Sequence, residues 1–126
     1  TLEKINFSDI TKSIKNINPQ DEILDIGPET QAEFGSTIAK AKTIIWNGPF
    51  GFYEEGFSDK TEQLAEIIAT LTSEAKLDSI VGGGDTIASI QKLHLEHKFT
   101  FLSTGGGAML DFLANETLPG IKALEL

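Results

Sequence analysis

Ser79-Ile80-Val81-Gly82-Gly83-Gly84-Asp85-Thr86 governs the reading of the whole chain. A short β-branched apolar run stops at three glycines. An acid and a hydroxyl then open a stretch in which Ile87, Ile90 and Leu93 recur at helical spacing. That pattern predicts a strand over Leu77 to Val81, a tight turn and a helix.

The same pattern recurs on both sides. Downstream, Phe99-Thr100-Phe101-Leu102 predicts a strand that runs into Thr104-Gly105-Gly106-Gly107 and a helix from Ala108 to about Ala114. Upstream, Thr43-Ile44-Ile45-Trp46 is β-branched and aromatic, hence a strand, and ends abruptly at Asn47-Gly48-Pro49. A Gly- and aromatic-rich loop spans Phe50 to Phe57. Ser58 or Asp59 is then placed to cap a helix whose apolar stripe is Leu64, Ile67, Ile68 and Leu71. Earlier still, Glu22-Ile23-Leu24-Asp25-Ile26 predicts a strand closed by Gly27-Pro28. A helix-compatible run from Glu29 to Ala41 follows, with Phe34, Ile38 and Ala41 at spacings of four and three. In the first twenty residues, Ile10, Ile14 and Ile17 fit one helical face, and Leu118-Pro119-Gly120 begins a short terminal segment.

Strand–helix alternation four times over implies an α/β fold, a parallel sheet with helices on both faces in a Rossmann-like three-layer arrangement. In such sheets ligands bind outside the carboxyl ends of the strands. Those ends carry most of the twelve glycines. No second domain, repeat or low-complexity tract interrupts the pattern.

Composition narrows the chemistry. The 126 residues suffice for one domain with a core, and 40% hydrophobic against 23% charged argues against a wholly disordered chain. No apolar run approaches the ~18–20 residues of a membrane span. Thr1-Leu2-Glu3-Lys4 lacks the basic start of a signal peptide, and threonine in first place reads as a fragment or a processed chain. With no cysteine there is no disulfide, thiolate metal site or cysteine nucleophile, which fits a reducing compartment. Nineteen acids against ten bases, all lysine, give a net charge of −9, a poor match to a nucleic-acid backbone. A phosphate ligand would have to be met by backbone N–H groups, a metal ion or lysines from elsewhere.

Each glycine loop admits two readings. Gly82-Gly83-Gly84 lets a ligand approach the backbone and meet the first N–H groups of a helix, a cradle for phosphate oxygens. Asp85 then supplies a carboxylate for Mg²⁺ bridging to a polyphosphate, and Thr86 a hydroxyl. The alternative is that Asp85 or Thr86 merely caps the helix. There is no Gly-Lys-Ser/Thr and no G-x-G-x-x-G spacing. Gly105-Gly106-Gly107 has no acid among its glycines and suits an anion met only by N–H donors, such as a transferring phosphoryl group. Otherwise it is a turn that packs a helix tightly. In the loop after Asn47, Glu54 suits a pair of ribose hydroxyls and Asn47 an amide near phosphates; alternatively Phe50, Phe52 and Tyr53 are anchors and Glu54-Glu55 a solvated pair. His94 and His97 have no third ligand in view and read as surface residues. Ser36, Ser58 and Ser103 lack a histidine partner pattern.

Taken together, five segments in order and at matching spacing resemble phosphoglycerate kinase. They are Leu24-Asp25-Ile26-Gly27-Pro28-Glu29-Thr30, Ile45-Trp46-Asn47-Gly48-Pro49, Ser79 to Thr86, Leu102-Ser103-Thr104-Gly105-Gly106-Gly107-Ala108 and Leu118 to Leu124. The resemblance covers nearly the whole chain and implies that residues 1–126 are the C-terminal portion of that family's nucleotide-binding domain, a partial domain. By that resemblance, Glu54 would bind the ribose of ADP or ATP. Gly83, Gly84, Asp85 and Thr86 would form the phosphate and magnesium site, with Asp85 reaching the metal. Asn47 would lie near the phosphates, Leu24 and Pro49 near the adenine, with Ile23 where the family often has glycine. Gly106 and Gly107 would present N–H groups to the transferred phosphoryl.

The parent enzyme so implied is a cytoplasmic, monomeric glycolytic kinase that moves a phosphoryl group between 1,3-bisphosphoglycerate and Mg·ADP. Its substrate-binding N-terminal domain and phosphate-binding lysines lie outside this stretch, so the chain alone is expected to be inactive. The rival expectation is a non-catalytic fragment or folding unit that works only with the missing part. It would expose an apolar patch and could self-associate. An unrelated phosphosugar- or nucleotide-binding α/β domain fits the loops but leaves the ordered segments to chance.

Overall fold

The computed structural model describes residues 11–124. Three parallel strands form one sheet in the order β1 (Thr43–Asn47), β2 (Asp78–Gly82), β3 (Phe101–Ser103). Helix α1 (Pro28–Ile38) precedes the sheet, α2 (Asp59–Ser73) joins β1 to β2 and α3 (Gly84–Lys92) joins β2 to β3. α4 (Gly106–Asn115) and the single turn α5 (Pro119–Lys122) end the described chain. This is the α/β architecture with a parallel sheet that the strand–helix pattern predicts.

Register assigns the faces. Trp46, Val81 and Leu102 are aligned across the strands, so their side chains share one face. Against that face pack Leu64, Ala65, Ile68 and Ala69 of α2 and Ile90 of α3, with Phe34 and Ile38 of α1 at the margin. Ala65, Ile68, Val81 and Ile90 are wholly buried. The opposite face carries the aligned row Ile45, Ile80 and Phe101. Here α4 covers only the end of β2, where Met109 lies against Gly82. Ile45 is left 53% exposed and Phe101 55%. Helices therefore lie on both faces, but the second layer covers one end of the sheet.

Three local expectations are corrected. Glu22–Ile26 is not a strand, and the chain bends at Asp25. The Leu24 carbonyl accepts the Phe52 N–H (2.7 Å) and the Asp25 carboxylate takes the Ile26 N–H (2.7 Å), so neither serves a sheet ladder, and Ile23 is 72% exposed. The last strand begins at Phe101 rather than Phe99. Thr100 and Ser79, opposite each other, exchange bonds from each backbone N–H to the other's hydroxyl (both 3.1 Å), replacing the ladder there, while Phe99 turns into the core. The helical face that Ile14 and Ile17 could share amounts to a single 3₁₀ turn at Ile14–Asn16, with Ile17 already extended. Ile14 is 83% exposed, and Ile10 lies outside the described residues.

Candidate functional site

All three strands run the same way, so Asn47, Gly82 and Ser103 end at one edge of the sheet, where the chain turns into its glycine loops. The N-cap of α3 is Gly83, at φ +97°, and that of α4 is Gly105; neither helix has a side-chain cap. The reading in which Asp85 or Thr86 caps its own helix therefore does not hold. Helix starts without caps leave their first backbone N–H groups without intrahelical partners, each at the positive end of a helix dipole.

The two loops touch. The Gly83 N–H donates to the Ser103 carbonyl (3.2 Å). A Cβ on the buried Gly106 would stand 2.5 Å from the Gly83 nitrogen and 2.8 Å from its Cα, and would also strike Oδ1 of Asn47. The same Asn47 oxygen would lie 2.7 Å from a Cβ on Gly82. Glycine is required at 82 and 106 because two backbones and one amide meet there, whereas Cβ atoms at Gly84 and Gly107 would have nothing within 4 Å. The edge thus has a packed seam, Gly82, Gly83 and Gly106 around Asn47, beside an open rim, Gly84 and Gly107.

Asp85 is exposed in the first turn of α3. Thr86 next to it is fully buried, and its hydroxyl accepts the Gly48 N–H (3.0 Å), tying the loop after β1 to α3. Pro49 is half-buried behind that tie. Trp46 donates from Nε1 to the Gly48 carbonyl (2.8 Å), its ring stacks on Phe50 at 6.4 Å, and Phe34 flanks Phe50 at 5.6 Å. The buried Thr61 hydroxyl accepts the Phe50 N–H (2.8 Å). The loop is thus anchored at Gly48 and Phe50. Beyond the anchors, Tyr53–Glu55 makes one 3₁₀ turn that presents Glu54 to solvent, and Gly56 (φ +93°) ends it. Phe52, expected as an anchor on one reading, is 46% exposed.

Leu24 is half-buried and reaches this loop through its carbonyl. Ser58, the N-cap of α2, gives no capping bond; its hydroxyl donates to the Glu62 carboxylate (2.9 Å). Glu62 also pairs with Lys92 (2.7 Å). That bond holds the carboxyl below its usual range and the ammonium above its own. His94 and His97 are exposed, and among the described residues no group of three or more potential metal ligands gathers.

The structure therefore brings Asn47, Gly83, Thr86 and Gly106 into one neighbourhood, with Gly84, Asp85 and Gly107 on its rim. Leu24 and Glu54 join through the loop. Sequence reasoning does not find Thr61, which holds that loop, or the close approach of Gly51 to Asp25. A threonine in the first turn of a helix is a signal for Thr61, but its partner Phe50 is visible only in space.

A parallel sheet with uncapped helix starts and glycine loops at its carboxyl edge places the chain in the α/β class whose ligands bind at that edge. The phosphoglycerate kinase family model matches residues 2–116. Among solved structures, phosphoglycerate kinase from Coxiella burnetii is 43% identical and superposes with a TM-score of 0.73, covering 90% of this chain. The chain belongs to the phosphoglycerate kinase family, and spans 28% of the length of that relative.

Proposed function

We propose that this chain is the ADP/ATP-binding segment of an enzyme that transfers a phosphoryl group between 1,3-bisphosphoglycerate and Mg·ADP in the cytoplasm. The observation that carries the reading is the seam between the two glycine loops, which sets two uncapped helix starts side by side at the strand ends. Gly84 presents its backbone N–H to the nucleotide phosphates while Gly83, its own N–H held by Ser103, shapes the turn that lets them approach, and Gly106 and Gly107 present theirs to the transferring group. Thr86 serves by holding Gly48 in place, and Asn47 by keying the seam. Glu54, on the solvent side of its turn, takes the ribose hydroxyls; Leu24 and Pro49 line the adenine side.

Magnesium fits this donor set. A small hard cation commonly takes one or two carboxylates together with substrate phosphates and water. Asp85 is exposed beside the open rim at Gly84 and would hold the ion together with the phosphates. When bound, the ion neutralises phosphate charge. What the chain itself contributes is position and N–H donors.

Phosphoryl transfer depends on positioning and electrostatic stabilisation by a complete constellation. This chain spans 28% of the relative's length, and the lysines expected to meet the phosphates lie outside it, so it is inactive alone. A titration of the labelled chain with Mg·ADP, followed by NMR, tests the binding claim. Shifts at Gly82–Thr86, Asn47 and Glu54 that weaken in Asp85→Ala are expected. A dispersed spectrum that does not respond to nucleotide would refute it, and turnover by the pure chain would refute the inactivity.

A second reading is favoured by the bare sheet face. Ile45 and Phe101 are both about half exposed in one row, and an apolar groove of about 180 Å³ runs beside β1, lined by Phe34, Ile38, Ile44 and Trp46 among others. On this reading the chain is a folding unit that works with the rest of the enzyme and self-associates without it. Sedimentation decides: a monomer at all concentrations argues against it.

A further inference from the structure

We propose that Asp25 is the positioning residue of the Glu54 loop, clasping it at Gly51. The inference rests on the nucleotide reading above for the role of Glu54, but the clasp itself is a matter of geometry.

Asp25 sits where three segments meet. Its Oδ1 accepts the N–H of Ile26 at 2.7 Å, which fixes the carboxylate against its own backbone. Gly51 passes directly over it. A Cβ on Gly51 would lie 2.7 Å from both Cγ and Oδ1 of Asp25 and 2.9 Å from the Leu24 carbonyl, and Gly51 has φ +68°. The next residue, Phe52, donates its N–H to that same Leu24 carbonyl (2.7 Å). On the far side of the loop, Ser58 gives α2 no capping bond, and Lys60 in its first turn is near enough for its charge to act on Asp25. The carboxylate is therefore fixed at the point where the loop passes over it, just before Glu54.

The electrostatics agree. Burial pushes the Asp25 carboxyl above its usual range. The Ile26 N–H, the Lys60 ammonium and the Lys60 N–H act against the rise, and Asp59 adds to it. The Ile26 N–H needs one side-chain acceptor oxygen, which asparagine keeps and alanine lacks.

The test uses the 126-residue chain, its Asp25→Ala and Asp25→Asn variants, and Gly51→Ala, which keeps Asp25 but places a methyl on its carboxylate. Without nucleotide, Asp25→Ala and Gly51→Ala should displace the amide signals of residues 51–57 and leave Gly82–Thr86 unmoved, whereas Asp25→Asn should keep the native pattern. Affinities for Mg·ADP and Mg·2′,3′-dideoxy-ADP are then compared. The native chain should prefer the hydroxylated nucleotide by about three- to tenfold, the worth of one ordinary hydrogen bond. Asp25→Ala should erase that preference while leaving dideoxy affinity intact, and Asp25→Asn should restore it. Unmoved loop signals in both alanine variants, or an equal loss for both nucleotides, would overturn the proposal. If the native chain takes up neither nucleotide, the nucleotide reading fails and the loop signals alone decide for or against the clasp. If Asp25→Ala does not fold, Gly51→Ala and Asp25→Asn decide the matter in its place.

Discussion

The backbone N–H of Gly48 donates to the hydroxyl of Thr86 across 3.0 Å, joining the loop after β1 to the first turn of α3. Thr86 has no exposed surface, so water cannot replace it as acceptor. Thr86→Val keeps the shape and leaves the Gly48 N–H unpaired, at a cost of about 1–3 kcal/mol. Denaturant melts should show that loss, and Thr86→Ser should recover most of it.

The seam and the rim of the glycine loops should respond oppositely to one methyl. Gly106→Ala places a Cβ on the Gly83 backbone and is expected to cost about 1–3 kcal/mol. Gly107→Ala and Gly84→Ala meet open space and should be neutral or gain up to about 1 kcal/mol. If the rim is where phosphate approaches, those two variants should nevertheless weaken nucleotide binding. Paired melts and titrations check both halves.

The three glycine-ended strands are legible locally, because β-branched runs and triple glycines carry their own signal. That Gly106 is locked and Gly107 free is not, since both stand in the same run and only the approach of Gly83 separates them. Glu22–Ile26 reads as a strand because its apolar pattern fits one, while its polar groups are engaged by Phe52 and by its own backbone.

Ile68 and Ile90 are fully buried where α2 and α3 meet the sheet. Either isoleucine changed to alanine should cost about 2–5 kcal/mol, and changed to valine about 0.5–1.5 kcal/mol. Urea denaturation measures both. A smaller loss would mean that these helices are loosely seated.

The Glu62–Lys92 pair should show its linkage in opposite pH windows. Glu62 is held below its usual value by the Lys92 bond, so its contribution is present above the ordinary carboxylate range and is lost as pH falls through the depressed value. Lys92 is raised by the same bond, so its share is present below the ordinary ammonium value and is lost as pH rises through the raised one. Carbon-detected NMR of the Glu62 carboxyl should show it moving back up in Lys92→Met. An unmoved carboxyl would mean that Ser58 alone sets it.

By itself the sequence determined the α/β class, the three strands that run into glycine loops and the helices after them, and the family, because periodicity, turn residues and motif spacing are properties of neighbours along the chain. The tertiary structure alone decided which glycines are locked, that Thr86 serves Gly48 and that Asp25 stands under Gly51. It also decided that one sheet face stays half bare. Each of these is a distance between residues far apart in sequence, and such distances are set by the packing of the helices and sheet, which no local run of residues specifies.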